Sequence, residues 1–223
     1  NNVRITEEGR YVNRQQLANK YTIRKQIFPM PKTGIILITG GNGALGLLMG
    51  QWLLAQYDKV CKRDGPPPAD TEPLTIKFLS RSMKVSEPDT WKDIERTAKR
   101  LGVVCEQDKC DAGSKDSVEG LFVKCAGKIS GIIHSAGVLQ DATLPNQTWE
   151  KYCQVFQPKS KAALYMHDAL ERHNNPLLSF FWMFSSIAVS GNPGQTPYSA
   201  SNAVLDALCR YRLAMGKPGL AIQ

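Results

Sequence analysis

The chain first shows residues able to do chemistry at Thr39-Gly40-Gly41-Asn42-Gly43-Ala44-Leu45-Gly46. This run follows a short apolar, β-rich segment and opens a helical pattern. Gly40, Gly43 and Gly46 fall in the spacing G-x-x-G-x-x-G. Glycines at such a turn tolerate positive φ, let the backbone approach a pyrophosphate, and let the helix pack close to the strand. The helix start then offers free N–H groups and its positive dipole end to phosphate oxygens. Thr39, Gly40, Gly43, Ala44, Leu45 and Gly46 are therefore the candidate phosphate-binding residues. The next β-rich run ends in Leu79-Ser80-Arg81-Ser82. A carboxylate at that point usually holds the ribose hydroxyls of NAD, and none is present. Arg81 can grip a 2′-phosphate in a planar, charge-assisted fork. Ser80 and Arg81 thus argue for NADPH, with Lys84 as an assistant. A plain surface arginine is the competing reading.

Three further segments carry polar residues in a telling order: Gly131–Leu144 (GIIHSAGVLQDATL), Gln157–Lys161 (QPKSK) and Phe184–Asn202 (FSSIAVSGNPGQTPYSASN). Together with the glycine loop they resemble the ketoreductase domains of modular polyketide synthases and animal-type fatty acid synthases, within the short-chain dehydrogenase/reductase superfamily. The resemblance runs from about residue 33 to residue 223. Reducing a ketone requires a hydride on carbon and a proton on oxygen. A tyrosine can give that proton, but a free phenol has a pKa of about 10. A neighbouring ammonium stabilises the phenolate, and a serine hydroxyl holds the carbonyl oxygen. The resemblance makes Tyr198 the acid, Ser186 (the second of the Ser185-Ser186 pair) the orienting hydroxyl, and Lys159 the cation, with Lys161 as its rival. Asn202 completes the set, four residues after Tyr198 and so on the same helix face. Free-standing superfamily members carry Y-x-x-x-K. Here the motif is Y-S-A-S-N, with the lysine earlier in the chain, an exchange that marks the synthase type. The resemblance also places Ala136 and Gly137 against the nicotinamide ribose. It gives Asp111 in KCDAG the adenine edge, with a helix N-cap as an equal alternative.

Leu139-Gln140-Asp141 is similar to the Leu-Asp-Asp signature of B-type ketoreductases, and Pro193, five residues before Tyr198, fits that type. Ser190 stands where the A-type tryptophan would fall. The resemblance therefore implies a D-configured 3-hydroxyl product. The implied substrate is a 3-ketoacyl thioester on the phosphopantetheine of an acyl carrier protein, delivered within one polypeptide that holds other synthase domains. Relatives continue with a lid helix and a last strand, which are expected to be absent from this chain. A fatty acid synthase ketoreductase is the nearest alternative. A catalytically silent nucleotide-binding domain is another, and the intact Ser186, Tyr198, Lys159 and Asn202 set speaks against it.

These residues need elements to position them. From Thr33 onward, β-rich runs at 34–39, 74–80, 103–106, 129–134, 177–184 and 219–223 alternate with helical patterns at 44–56, 90–100, 114–125, 148–173 and 199–214. Such alternation predicts an α/β fold of Rossmann type, a doubly wound parallel sheet with helices on both faces. Residues 58–73 hold four prolines and are expected to be an exposed loop insertion. Residues 1–32 are polar, show no strand pattern and contain one helix-like stretch at 13–24. They are expected to be a linker or the remnant of a preceding structural subdomain, with residues 33–223 forming the catalytic domain.

Composition excludes several classes. The chain has 223 residues, 42% of them hydrophobic and 22% charged, which suits a globular domain and not a disordered one. No apolar run is long enough to span a bilayer, and no secretory signal opens the chain. The six cysteines include no C-x-x-C pair and the three histidines lack zinc spacing, so neither a metal site nor a disulfide framework is expected. Free thiols suit a reducing, cytoplasmic compartment. The net charge of +8 favours anionic partners. The basic residues are dispersed, however, and no nucleic-acid motif lies among them.

Overall fold

The computed structural model describes residues 3–7, 9–12, 27–125 and 127–223. The helix-like stretch expected at 13–24 lies outside them. Two four-residue strands, β1 (Val3–Thr6) and β2 (Gly9–Val12), pair antiparallel in a segment whose sequence shows no strand pattern. Strands this short carry too few alternations to be read from periodicity.

Six strands form the main sheet: β3 (Ile35–Thr39), β4 (Thr75–Ser80), β5 (Val104–Lys109), β6 (Ile129–His134), β7 (Phe180–Phe184) and β8 (Leu220–Ile222). They are parallel throughout, in the order β5-β4-β3-β6-β7-β8. The chain winds outward from β3 in one direction and then returns to β6 to wind in the other. β3 and β6 therefore flank the switch point, where the crevice beyond the strand ends receives ligands in sheets of this kind.

Helices cover both faces, as the alternation predicts. The helices are α1 (Ala44–Asp64), α2 (Pro88–Leu101), α3 (Lys115–Lys124), α4 (Trp149–Phe156), α5 (Ala162–Arg172) and α6 (Thr196–Ala214). Ile36 and Ile38 of β3 join the core built with Leu47, Leu53 and Leu54 of α1 and Ile94 of α2. Leu37, between them, joins the opposite core with Phe122 of α3, Met166 of α5 and Leu205 of α6. Burial on both sides explains why these strands read as continuous apolar runs. On the α1 face, Phe28 packs against Trp52, Phe180 and Trp182 with ring centroids 5.5, 5.4 and 4.9 Å away.

One helix differs from expectation in length and one in turn type. α1 runs on to Asp64, two turns into the stretch expected to be a loop. Tyr57 and Val60 are buried there and an Asp58–Lys62 pair at 2.6 Å supports the turn. Gly65, with φ of 76°, ends the helix just before the first proline. The helix expected at 148–173 runs unbroken from Trp149 to Arg172, but it widens into a π-turn over Gln157–Lys161 between α4 and α5. Pro158 has no N–H for the helical ladder, so the turn widens where an α-helical bond cannot form.

Candidate active site

A cleft of about 1010 Å³ opens beyond the carboxyl ends of β3, β4, β5 and β6. Gly40, Gly43, Ala44, Leu45, Ser80, Arg81, Asp111, Ala136 and Gly137 all line it. Gly40 sits at φ of 66°, and a Cβ there would meet the Ala136 backbone at 2.9 Å. The loop is thus pressed against the end of β6. No side chain caps the N-terminus of α1 and its first turn holds no acid. Its orphan N–H groups and dipole are left for an anion in the cleft. Arg81 and Lys84 lie exposed along the same cleft, beyond the end of β4. An uncapped helix start with cations one strand away makes the cleft favourable to phosphate groups.

Thr39 and Gly46 do not face the cleft. Thr39 is buried, with its hydroxyl 2.6 Å from His134 Nδ1. At Gly46 a Cβ would meet the Gly40 carbonyl oxygen at 2.6 Å, so its role is close packing of helix on loop. Asp111 is not a helix N-cap. Ser114 caps α3, its hydroxyl accepting from the Ser117 N–H, while Asp111 accepts from the Gly113 N–H at 3.0 Å and stays exposed at the cleft edge.

Asn42 was not legible as a site residue. It is buried, donates to Ser80 Oγ at 2.9 Å, and its backbone carbonyl accepts from the Ser86 N–H at 2.9 Å. It therefore ties the glycine loop to the end of β4 and the segment after it. The only signal was a polar residue between glycines.

Lys159 and Tyr198 come together although 39 residues separate them in the chain. The Lys159 ammonium lies 4.9 Å from the centroid of the Tyr198 ring and donates to the Phe184 carbonyl at 2.9 Å. It also borders the cleft, since a Cβ on Gly137 would stand 3.5 Å from Nζ. Lys159 is only 4% exposed, and burial pushes its pKa down to about 8. Lys161 points to solvent. Two residues apart on a helical segment, the two lysines face opposite sides, and the fold turns the Lys159 side inward and the Lys161 side out.

Tyr198 sits in the first turn of α6, half-buried, after Pro197 at the helix start. Asn202, one turn on and fully buried, donates to the Tyr198 carbonyl at 2.8 Å, and its Oδ1 has no partner among the described residues. The two serines diverge. Ser185 Oγ donates to the Asn202 carbonyl at 3.4 Å, which engages it with α6. Ser186 caps the short 3₁₀ turn Ile187–Ser190 by accepting from the Ala188 N–H at 3.1 Å, which leaves its own proton free. Across the opening, Gln195 donates to Asp141 Oδ2 at 2.9 Å and the Ala142 N–H bonds the Gly194 carbonyl at 2.9 Å. The loop after β6 is thereby latched to the segment that leads into Tyr198.

A parallel sheet of this order with such a cleft at its switch point is a Rossmann-type nucleotide-binding fold. Within that class the family model of the KR domain matches residues 34–223, and the chain belongs to that family of ketone-reducing domains. It is 33% identical over 193 residues to a highly reducing polyketide synthase of Cordyceps militaris, covering 83% of this chain and 7% of that protein. It is 34% identical over 189 residues to a phenolphthiocerol/phthiocerol polyketide synthase of Mycobacterium tuberculosis, covering 81% of this chain and 10% of that protein. The chain thus spans a small fraction of these relatives. An N-terminal ketoreductase from the macrolactin assembly line superposes with a TM-score of 0.71 at 29% identity, over 90% of this chain and 38% of that one. Among the described residues no helix is long and apolar enough to cross a membrane.

Proposed function

We propose that this chain reduces the 3-keto group of an acyl thioester carried by an acyl carrier protein, with NADPH as reductant, inside a polyketide synthase. The observation that carries the reading is the buried Lys159 ammonium against the Tyr198 ring at the edge of the cleft. A buried cation with no carboxylate within ion-pair distance among the described residues has a cost in stability that a developing phenolate would repay.

Gly40, Gly43, Ala44 and Leu45 hold the pyrophosphate, Arg81 and Lys84 the 2′-phosphate, Asp111 the adenine edge, and Ala136 and Gly137 the nicotinamide ribose. Bound there, the reduced nucleotide supplies a hydride to the carbonyl carbon. Tyr198 gives its phenolic proton to the carbonyl oxygen as the C=O π bond breaks. Lys159 stabilises the phenolate left behind, and Ser186 donates to the same oxygen to hold it in line. Asn202 fixes the first turn of α6 and with it the Tyr198 backbone. The Leu139-Gln140-Asp141 loop, latched through Gln195, and Pro193 favour entry of the substrate in the B-type orientation and a D-configured alcohol. Residues 33–223 serve as the catalytic domain, and residues 1–32 as linker or remnant of a preceding subdomain.

Deuterium transfer tests the reaction. With NADPH labelled at C4 and a 3-ketoacyl thioester, label appears at C3 of a 3-hydroxyacyl product. Tight NADPH binding with no label transfer to any 3-ketoacyl thioester contradicts the proposal and supports a silent nucleotide-binding domain.

A further inference from the structure

Near the site lies a buried histidine that the reaction as described does not use. His134 ends β6 and is 1% exposed. Its Nε2 lies 2.8 Å from the backbone carbonyl oxygen of Lys159, and its Nδ1 lies 2.6 Å from Thr39 Oγ1. A carbonyl oxygen can only accept, so Nε2 carries the proton. Burial holds the imidazole neutral, with a pKa pushed down to about 4, so Nδ1 is an acceptor and the Thr39 hydroxyl donates to it. Thr39 Oγ1 in turn accepts from the Ala136 N–H at 3.4 Å. The bonds all run one way, from Ala136 through Thr39 and His134 to Lys159.

The bond ends at a weak point of the helix. In a regular α-helix the Lys159 carbonyl would be filled by the N–H four residues on. In the π-turn Gln157–Lys161 the Ala162 N–H is shared between the carbonyls of Gln157 and Lys159. The widened turn leaves room for a side-chain donor, and a donor inserted into the ladder is a recognised cause of helix distortion. Lys159, whose carbonyl lies in this turn, has its side chain buried toward Tyr198.

We infer that His134 is a positioning residue for Lys159: its Nε2–H holds the π-turn open by the Lys159 carbonyl and so aims the ammonium at Tyr198. Thr39 fixes the tautomer that makes this possible. His134 touches neither substrate nor nucleotide and acts through Lys159 alone. The inference rests on the catalytic assignment of Lys159 proposed above.

The test compares two amides at position 134 in the intact protein. His134→Asn keeps an acceptor for the Thr39 hydroxyl but is too short to reach the Lys159 carbonyl. His134→Gln keeps an N–H at about the reach of Nε2. Turnover in His134→Asn is expected to fall about tenfold or more, with the nucleotide Kd and melting temperature near those of the parent, because a small misplacement of a catalytic group is costly. His134→Gln recovers most of the loss. In a Lys159→Met background His134→Asn costs nothing further, since both changes act on one interaction. If His134→Asn does not fold, Thr39→Val takes its place in the same cycle, with the nucleotide Kd read beside turnover because the hydroxyl also accepts from the Ala136 N–H. Additive losses, or equal losses in Asn and Gln, overturn the inference alone. Parental turnover in Lys159→Met overturns the assignment of Lys159, and the inference with it.

Discussion

The ammonium of Lys159 stands 4.9 Å from the centroid of the Tyr198 ring and is 4% exposed, with the Phe184 carbonyl as its hydrogen-bond acceptor. In the proposed mechanism, function and stability are opposed at this contact. Burial lowers the lysine pKa from 10.5 to about 8, so the folded state holds the proton less tightly than the unfolded chain. Below pH 8 the charged lysine therefore destabilises the fold, and the penalty fades as pH rises toward 10.5. Lys159→Met is expected to stabilise the protein at pH 7 by about 1–3 kcal/mol while abolishing most turnover. Chemical denaturation of both proteins across this pH range checks it. A methionine variant no more stable than its parent contradicts the account.

His134 gives a second pH dependence. Its pKa falls from 6.5 to about 4 because the ring is buried. The unfolded chain thus binds a proton between these values that the folded one refuses, and stability declines as pH drops from 6.5 toward 4. The loss reaches about 3 kcal/mol from this group alone. Urea melts of the parent and of His134→Gln should show a shallower acid decline in the glutamine variant.

Arg81 has no acidic partner among the described residues and lies along the cleft beyond β4. Arg81→Glu is expected to weaken NADPH binding by about tenfold to a hundredfold, the range of a lost charge-assisted contact. NADH binding should hold or improve, because a carboxylate there suits ribose hydroxyls. Fluorescence titration with both nucleotides measures the ratio. Equal losses for the two would move the 2′-phosphate away from Arg81.

The Asp141–Gln195 bond joins the loop after β6 to the segment before Tyr198. If this latch fixes the face of the ketone that meets the nicotinamide, Gln195→Leu lowers the D-to-L ratio of the product by about tenfold, the effect of one hydrogen bond to a carboxylate. Chiral chromatography of the 3-hydroxyacyl product gives the ratio. A parent product that is mostly L contradicts the B-type assignment.

Much of this site is legible in the chain because its determinants are local. The glycine loop, the run Leu79–Ser82 and the strand–helix alternation depend on neighbours only a few residues away. The partition of polar residues between the cleft and the scaffold is not local. Thr39 reads as a cofactor contact until β6 brings His134 beside it. Helix geometry puts Lys159 and Lys161 on opposite faces whatever the turn type, and only the fold shows that the face with Lys159 is the one turned toward Tyr198. The last two turns of α1 are hidden by the prolines that follow, while Tyr57 and Val60 find their partners only in the folded core. Asn42 shows its importance only through Ser80 and Ser86.

NADPH absorbance is followed with a simple 3-ketoacyl thioester, for the parent protein and Tyr198→Phe side by side. Steady consumption by the parent is expected, with a loss of about a hundredfold or more in the variant and NADPH affinity retained. A parent protein that binds NADPH but never consumes it, or a phenylalanine variant as fast as its parent, would contradict the proposed mechanism.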